Sequence, residues 1–477
     1  MKKGAYYITT TLPYVNAEPH IGFGMEIVAA DTLARYHRLL GEEVVFNTGT
    51  DEHGMKIYQE AVNAKQKPQD YVDLYAGKFD ELKSLLNLSY TNFIRTTDEH
   101  HIAAAQHFWR MCMDQGDIYK KEYKIKYCVG CELEKTDSEL EEGKCPLHPN
   151  KELEIIEEEN YYFRFSKYQQ PLLDWYKEHP DFVQPSGKMS EIKAFVAKGL
   201  QDFSVSRLAS KLPWGIPVPG DDLQVMYVWF DALINYISTL GWPENTEKFV
   251  QFWPGVQIAG KDNLRQQSAM WQAMLLSAKL PPSQQILVNG FISVAGAKMS
   301  KSLGNVISPT EMVKKYGVDG TRFLLLDMGP VHEDIDLTRE QLDTRYSSFL
   351  ANGLGNTVSR VAALCSKAAT GSEYFGVGSL ERQLSPKVID QLNNYRFDLA
   401  LSEIWKTLGE IDKEIETKQP WKLEGEELNK ALTPWVETIR QIGFDLQPFL
   451  PETAEKILAQ FNQSAISKLP GMFPRLP

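Results

Sequence analysis

The chain has 477 residues, 43% of them apolar and 24% charged, which is too long for one compact core and predicts two to four domains. Its formal net charge of −12 argues against indiscriminate nucleic-acid binding but leaves room for a specific RNA contact on a local basic face. No apolar run approaches the ~20 residues of a membrane span, and the N-terminus lacks a signal-peptide stretch, so we expect a cytoplasmic protein without a membrane partner.

Residues 1–116 alternate between short apolar strands and amphipathic helices. The aromatic and β-branched run Ala5–Thr10 predicts a buried strand, and Val44–Phe46 predicts the next one. Between them, apolar residues recur at helical spacing from Met25 to Leu40. This βαβ pattern predicts a Rossmann-like, doubly wound parallel sheet, in which ligands bind at the carboxyl ends of the strands.

The next part of the chain, residues 117–222, is rich in cysteine and acidic side chains and predicts an insertion that splits the sheet domain. The α/β pattern resumes over residues 223–340, which we assign to the second half of that domain. From 341 to 477 long amphipathic helical patterns, interrupted at Pro420 and Pro451, predict an all-helical bundle.

The insertion contains two knuckles with metal-ligand spacing. Cys128 and Cys131 form the first, and Cys145 and His148 form the second after a gap of thirteen residues. Three thiolates and an imidazole at this separation match tetrahedral zinc coordination. Because four protein ligands leave no open position, we predict one structural Zn²⁺ per chain. Reduced cysteines without a metal are the open alternative.

Two short nucleotide-handling signatures lie nearly 280 residues apart: P-H-I-G-F at 19–23 and K-M-S-K-S at 298–302. The glycine of the first lets the backbone approach a phosphate at the start of a helix, and its histidine can donate a hydrogen bond to a phosphate oxygen. The lysines of the second can neutralise charge on the α-phosphorus and on departing pyrophosphate. Either motif alone is weak evidence, but the pair in this order predicts a site that activates a carboxylate with ATP. The predicted ATP-binding residues are His20, Gly22, Phe23, Lys298, Ser300 and Lys301, of which His20, Gly22, Lys298 and Lys301 are the predicted catalytic set.

These motifs resemble those of the class I aminoacyl-tRNA synthetases, and within that class the methionyl-tRNA synthetases of the short bacterial type. The resemblance implies ATP-dependent ligation of L-methionine to its tRNA through a methionyl-adenylate, with Mg²⁺ accompanying ATP. The insertion is too short for the editing domain expected of the isoleucine, valine and leucine relatives. Further segments that carry the resemblance are T-G-T-D-E-H-G at 48–54, D-F-S-V-S-R at 202–207, Y-V-W-F-D-A at 227–232, G-K-D at 260–262 and the extension of the second signature to residue 306.

The resemblance also implies a methionine pocket. Asp51 would pair with the substrate ammonium, and aromatic side chains would surround the thioether, with which they make favourable sulfur contacts. Without the resemblance, core packing or a helix cap would explain these residues equally well. The implied pocket residues are Leu12, Tyr14, Asp51, Trp229, Leu233, Tyr236 and Gln267.

Two positions depart from the family pattern. Phe23 stands where the first signature usually ends in histidine, and phenylalanine cannot donate to a phosphate. Gln267 stands where a histidine usually shapes the pocket, and its neighbour Gln266 replaces an aromatic residue. Two alternatives therefore stay open: a tRNA-binding paralogue with impaired catalysis, and a synthetase of the same class with another amino-acid preference.

The RNA contact is expected in the helical region. Asn356 and Arg360 lie four residues apart on one predicted helix face, and Trp421 follows Pro420. An amide, a guanidinium and an indole suit unstacked bases, and the resemblance places anticodon recognition of initiator and elongator methionine tRNA on them. A solvated helix face with a core tryptophan is the alternative. Because the chain ends soon after this region, we expect a monomer.

Overall fold

The architecture comes from a computed structural model. It describes residues 4–131, 133–135, 139–299, 304–368, 375, 382–463, 465–468 and 471–476, without the side chains of 123–125, 134, 156–158 and 298. Within these ranges no helix is long and apolar enough to cross a membrane.

The strands are numbered in chain order. They are Ala5–Thr10 (β1), Glu43–Thr50 (β2), Asn92–Arg95 (β3), Ile118–Cys128 (β4), Leu133–Lys135 (β5), Glu154–Phe163 (β6), Val183–Gln184 (β7), Phe203–Ser204 (β8), Ser206–Leu208 (β9), Pro217–Val218 (β10), Asp221–Met226 (β11), Val256–Gly260 (β12), Gln285–Asn289 (β13), Ile292–Val294 (β14), Ala297–Lys298 (β15) and Ile335–Leu337 (β16).

The α-helices are numbered in the same way, and two π-helical segments interrupt them at Gln266–Met270 and Tyr346–Leu354. The α-helices are Ile21–Leu39 (α1), Met55–Asn63 (α2), Pro68–Asp80 (α3), Leu82–Leu85 (α4), Glu99–Asp114 (α5), Gln169–Glu178 (α6), Ser186–Ala197 (α7), Val228–Leu233 (α8), Asn235–Ser238 (α9), Thr246–Phe252 (α10), Trp271–Ser277 (α11), Pro309–Asp327 (α12), Arg339–Arg345 (α13), Gly355–Ala368 (α14), Pro386–Asn393 (α15), Phe397–Lys418 (α16), Gly425–Asp445 (α17) and Pro451–Phe461 (α18).

Internal contacts divide the chain into two units, each built from three segments. The first unit comprises Met1–Pro19, Glu43–Glu81 and Tyr90–Asn289, and the second comprises His20–Glu42, Leu82–Ser89 and Gly290–Pro477.

The first unit contains a six-stranded parallel sheet in the order β3-β2-β1-β12-β13-β7. The predicted strand Ala5–Thr10 is confirmed, and five of its six residues are buried. The strand predicted at Val44–Phe46 extends to Thr50. Its polar C-terminal residues are buried and make side-chain hydrogen bonds, such as the one between Thr48 and Thr10 of β1. The strand order reverses direction between β1 and β12, so the carboxyl ends of these strands border the expected ligand crevice.

The edge of this sheet comes from an unexpected part of the chain. Val183–Gln184 lies within the predicted insertion, yet it pairs in parallel with β13. Conversely β11, where the α/β pattern was expected to resume, pairs in antiparallel fashion with β9 and β10 and not with the main sheet. A two-residue strand has no periodicity to read, and a half-buried strand can join either kind of sheet, so only tertiary pairing decides both cases.

The insertion is built on a four-stranded antiparallel sheet in the order β5-β4-β6-β8. Asp117, fully buried just before β4, accepts hydrogen bonds from Lys167 Nζ at 2.7 Å, Tyr168 OH at 2.6 Å and Ser277 Oγ at 2.9 Å. The Ser277 contact ties the base of the insertion to α11, so the insertion is anchored at its entry point.

The second unit contains α1, a three-stranded sheet in the order β15-β14-β16 and, beyond residue 340, regular structure that is entirely helical among the described residues. Arg322 of α12 is fully buried and pairs with Asp31 of α1 at 2.8 Å. It also donates to the carbonyl oxygens of Phe449 at 2.8 Å and Leu86 at 3.1 Å. The predicted fold class is therefore confirmed: a parallel α/β sheet, an inserted region and a C-terminal helical region.

Candidate functional site

Three predicted pocket residues meet at the carboxyl ends of β1 and β2. The loop after β1 pairs with the end of β2, because Asp51 N donates to Pro13 O at 3.0 Å and Val15 N donates to Asp51 O at 3.3 Å. This pairing sets Tyr14 beside Asp51, whose side chain is buried. The ring of Tyr14 meets the indole of Trp229 edge-on, with centroids 6.1 Å apart. The three residues thus combine a buried carboxylate with two aromatic faces.

A second group of predicted residues is joined by an amide network. Gln267 Nε2 donates to Tyr236 OH at 2.7 Å, and Gln257 Nε2 donates to Gln267 Oε1 at 3.3 Å. Tyr236 is nearly fully buried, as is Leu233 one helical turn before it. Gln267 lies in the π-helical segment Gln266–Met270, a feature frequent at functional sites. The position where the family usually has histidine therefore still contacts Tyr236.

Two residues that received no role from the sequence lie in the same unit. His53 Nδ1 is 3.1 Å from Asp231 Oδ2, and both side chains are buried. The His53 ring also packs against the indole of Trp214, with centroids 5.6 Å apart. Burial raises the pKa of Asp231, although the histidine partly opposes this. Both residues belong to segments that carry the family resemblance, at 48–54 and 227–232. This resemblance was the feature of the sequence that could have pointed to them.

Within the second unit, residues 20–23 of the first predicted nucleotide signature lie close to Met299 of the second. His20 caps α1, and its Nδ1 accepts the backbone N–H of Gly22 at 3.0 Å, so the neutral imidazole carries its proton on Nε2. A Cβ on Gly22 would lie 2.8 Å from the imidazole and 3.8 Å from Met299 Cε, so a side chain here would push the imidazole away from this cap. The backbone N–H of Ile21 donates to Ile307 O at 3.0 Å, which joins the start of α1 to the chain after the second signature.

The remaining residues of these signatures are only partly described. Phe23 lies in the first turn of α1 and is half-buried. Lys298 ends β15, but its side chain lies outside the described residues, as do Ser300 and Lys301. Their roles remain predictions from the sequence.

The four predicted metal ligands converge. One ligand atom from each of Cys128, Cys131, Cys145 and His148 lies within 4.8 Å of the others. Cys131 Sγ is 3.4 Å from Cys145 Sγ and 3.2 Å from His148 Nδ1. Sulfur ligands at the usual Zn–S distance of about 2.3 Å span roughly 3.8 Å in a tetrahedron, so the donor set and its spacing fit zinc. A Cβ on Gly130 would lie 2.5 Å from the His148 ring, which explains the glycine within the first knuckle.

The predicted RNA-binding residues lie in the helical region. Asn356 and Arg360 are one turn apart on α14, and Asn356 is exposed. The guanidinium of Arg360 is 5.7 Å from the ring centre of Trp421, and half of this tryptophan is exposed to solvent. An exposed indole beside a cation offers a stacking platform for a base, which a core tryptophan would not.

Comparison with known proteins agrees with this geometry. The family model "tRNA synthetases class I (M)" matches residues 6–153 and 139–362. The methionine–tRNA ligase of Caldanaerobacter subterraneus subsp. tengcongensis is 40% identical over 97% of this chain and 74% of its own length. The methionine–tRNA ligase of Brucella suis is 37% identical over 96% of this chain and 92% of its own length. The Mycobacterium tuberculosis methionyl-tRNA synthetase in complex with methionyl-adenylate has a TM-score of 0.88 and 33% identity, covering 99% of both chains. The chain belongs to the methionyl-tRNA synthetase family of class I aminoacyl-tRNA synthetases.

Proposed function

We propose that this chain activates L-methionine with ATP and transfers the methionyl group to methionine tRNA. The observation that carries the proposal is the buried carboxylate of Asp51 beside the aromatic faces of Tyr14 and Trp229, in a chain of this family. The names of the relatives and the methionyl-adenylate of the structural neighbour support the same reaction.

In the first step, Asp51 pairs with the methionine ammonium while Tyr14 and Trp229 contact the thioether. A carboxylate oxygen of methionine attacks the α-phosphorus of ATP, and the bond to pyrophosphate breaks. Positioning and charge stabilisation are sufficient for such a transfer, so no protein nucleophile is required. The Nε2–H of His20 donates to a phosphate oxygen. Mg²⁺ accompanying ATP would add to the neutralisation of the phosphate charge.

The second signature completes the charge stabilisation. We assign Lys298 and Lys301 to the negative charge that builds on the transferring phosphate and on pyrophosphate. Phenylalanine at position 23 removes one donor that the family pattern would supply, so these two lysines and His20 carry this role.

In the second step, a hydroxyl of the terminal tRNA ribose attacks the carbonyl carbon of the adenylate, and AMP leaves. We assign anticodon recognition of initiator and elongator tRNA to Asn356, Arg360 and Trp421. The pairing of Arg360 with a half-exposed Trp421 supports this role, since bases stack on such a surface.

The metal cluster has a structural role in this proposal. Zn²⁺ at Cys128, Cys131, Cys145 and His148 would cross-link the two knuckles and hold the tip of the insertion. Thiolate ligands and a tRNA substrate both suit the reducing cytoplasm, and we propose a cytoplasmic monomer because the assigned methionine, ATP and tRNA residues all belong to one chain.

The test is amino-acid-dependent exchange of pyrophosphate into ATP, without tRNA, for all twenty amino acids. We expect exchange with methionine alone. Exchange with a different amino acid would mean that Gln266 and Gln267 have changed the substrate. No exchange at all, combined with retained tRNA binding, would replace the proposal with the paralogue that binds tRNA and does not activate an amino acid.

A further inference from the structure

The buried contact between His53 and Asp231 is not used by the mechanism above. The two side chains are 6% and 0% exposed, and Asp231 Oδ1 has no hydrogen-bond partner within the described part of the chain. Burying a carboxylate that makes so few hydrogen bonds opposes folding. Stability of the fold therefore does not explain why this pair is buried here.

The pair joins the two walls of the methionine pocket. His53 follows the ammonium-binding Asp51 by two residues, and Asp231 follows the pocket indole, Trp229, by two residues on α8. The hydrogen bond spans 178 positions of sequence, so it connects segments that no local structure links.

The neighbouring residue Glu52 is held from the other side. Its carboxylate accepts from Arg95 Nε at 2.6 Å, and its backbone carbonyl accepts from Trp214 Nε1 at 2.6 Å. These bonds hold the chain between Asp51 and His53 through β3 and through the loop before β10. His53 is thereby a fixed point from which α8 can be positioned.

The opposite wall, α8, is held in the apolar core by Phe230, whose ring centroid lies 5.1 Å from that of Trp109 and 6.0 Å from that of Phe108. The α8 helix has only six residues, and the indole nitrogen of Trp229 is buried without a hydrogen-bond partner among the described residues. The location of that indole therefore depends on where α8 lies, and the Asp231 carboxylate links α8 to the Asp51 segment.

We propose that His53 and Asp231 are positioning residues that set the distance between the Asp51 carboxylate and the Trp229 indole, so that one methionine engages both. This inference rests on the proposed function. It assigns the pair no contact with substrate and no proton transfer. It predicts that loss of the pair weakens methionine binding selectively, because ATP is assigned to other residues.

The experiment measures KM for methionine and KM for ATP by pyrophosphate exchange in four variants. His53→Phe removes the hydrogen bond, and Asp231→Asn weakens it by removing the charge. His53→Asn keeps a donor near the Nδ1 position and is the conservative rescue. Tyr168→Phe is the control, because it removes a buried hydrogen bond to Asp117 in the same unit that involves no pocket residue.

We expect His53→Phe to raise KM for methionine about tenfold, the loss expected for one buried hydrogen bond, and Asp231→Asn to raise it less. KM for ATP should stay within about twofold in every variant. His53→Asn should restore most of the methionine affinity, and the control should match the wild type. If His53→Phe does not fold, KM for methionine in the other two variants still tests the inference. It should be higher in Asp231→Asn than in His53→Asn.

Two outcomes would overturn the inference alone. Unchanged KM for methionine in folded His53→Phe or Asp231→Asn would show that the pair positions nothing. An equal rise in both KM values, without rescue by asparagine, would show a general structural role. A wild-type chain that shows no exchange with methionine would instead overturn the proposed function and this inference with it.

Discussion

At the scale of single residues, His20 shows how one side chain sets up another group's chemistry. Its Nδ1 accepts the N–H of Gly22, which places the proton of the neutral imidazole on Nε2, the atom that we propose donates to a phosphate. A side chain at position 22 would displace this contact, because its Cβ would overlap the imidazole. The spacing of histidine and glycine in the first signature is therefore a steric requirement of the cap.

Asp51 provides the most direct test of the pocket. Asp51→Asn keeps the shape but removes the charge that would pair with the methionine ammonium. We expect KM for methionine to rise about 100-fold, since a charge-assisted hydrogen bond contributes about 1.5–3 kcal/mol. Asp222→Asn, a change at an exposed acid of the same unit, is the control. Pyrophosphate exchange measures both, and an unchanged KM in Asp51→Asn would contradict the assignment.

Asp327 predicts a pH effect on stability. It accepts from Arg345 at 2.9 Å, yet burial raises its pKa to about 6. Because this exceeds the value of about 3.9 in an unfolded chain, the folded protein binds the proton more tightly. Ionised Asp327 thus opposes folding above pH 6, and the opposition fades as pH falls towards 4. Asp327→Asn should raise the melting temperature at pH 7.5 and raise it less at pH 5.

The matched control for this effect is Asp343→Asn. Burial raises the pKa of Asp343, but hydrogen bonds from Lys315 and Tyr316 outweigh it, and the pKa is lowered overall. Loss of this carboxylate should therefore lower the melting temperature at pH 7.5. A difference in melting temperature between Asp327→Asn and the wild type that stays the same at pH 7.5 and pH 5 would contradict the prediction.

At the scale of elements, α12 links parts of the second unit that are distant in sequence. It follows the second signature, and through Arg322 it contacts α1 and the carbonyl just before α18. Arg322 has a charge partner and several carbonyl acceptors, so its burial is compensated only while all of them are present.

Arg322→Met should therefore destabilise the protein by about 3–5 kcal/mol, because Asp31 would be left with less compensation for its buried charge. Thermal unfolding followed by circular dichroism would measure the loss. Lys314→Met, at an exposed position of the same helix, should leave the melting temperature unchanged. Equal stability of the two variants would show that the ion pair is dispensable.

The two Cys/His knuckles predict a dependence of the insertion on metal. Elemental analysis should find one zinc per chain, and Cys145→Ser should reduce this content and raise hydrogen exchange in β4 and β6. Cys365→Ala removes a buried cysteine outside the cluster and should keep the full zinc content. A wild-type protein without zinc would overturn the metal assignment.

At the scale of the whole molecule, adenylation and tRNA recognition are assigned to different residues and should be separable. Lys301→Ala should lower pyrophosphate exchange about 1000-fold while leaving tRNA affinity mostly intact. Trp421→Ala should weaken tRNA binding about tenfold, the effect of one lost base stack, while leaving exchange unchanged. Leu399→Ala, at another exposed apolar position of the helical region, is the control. Parallel loss of both activities in either variant would contradict this separation.

The sequence by itself determined what depends on local spacing. The strand Ala5–Thr10 and the knuckles at Cys128 and Cys145 could be predicted because periodicity and short turns act within a few residues. The helix expected to begin near Gly22 begins at Ile21, directly after the His20 cap. The four-part division of the chain remains a prediction. The internal contacts define two units, each built from three segments, and these units do not correspond to the four parts.

Only the tertiary structure decided which distant polar groups meet. The His53–Asp231 contact and the edge position of β7 left no periodic trace in the sequence. The same holds for the burial of Arg322. Backbone hydrogen bonds within a helix or turn follow from neighbouring residues, so local patterns reveal them. A buried polar contact between remote segments depends on how the elements pack, and many pairings satisfy the same local pattern until packing selects one.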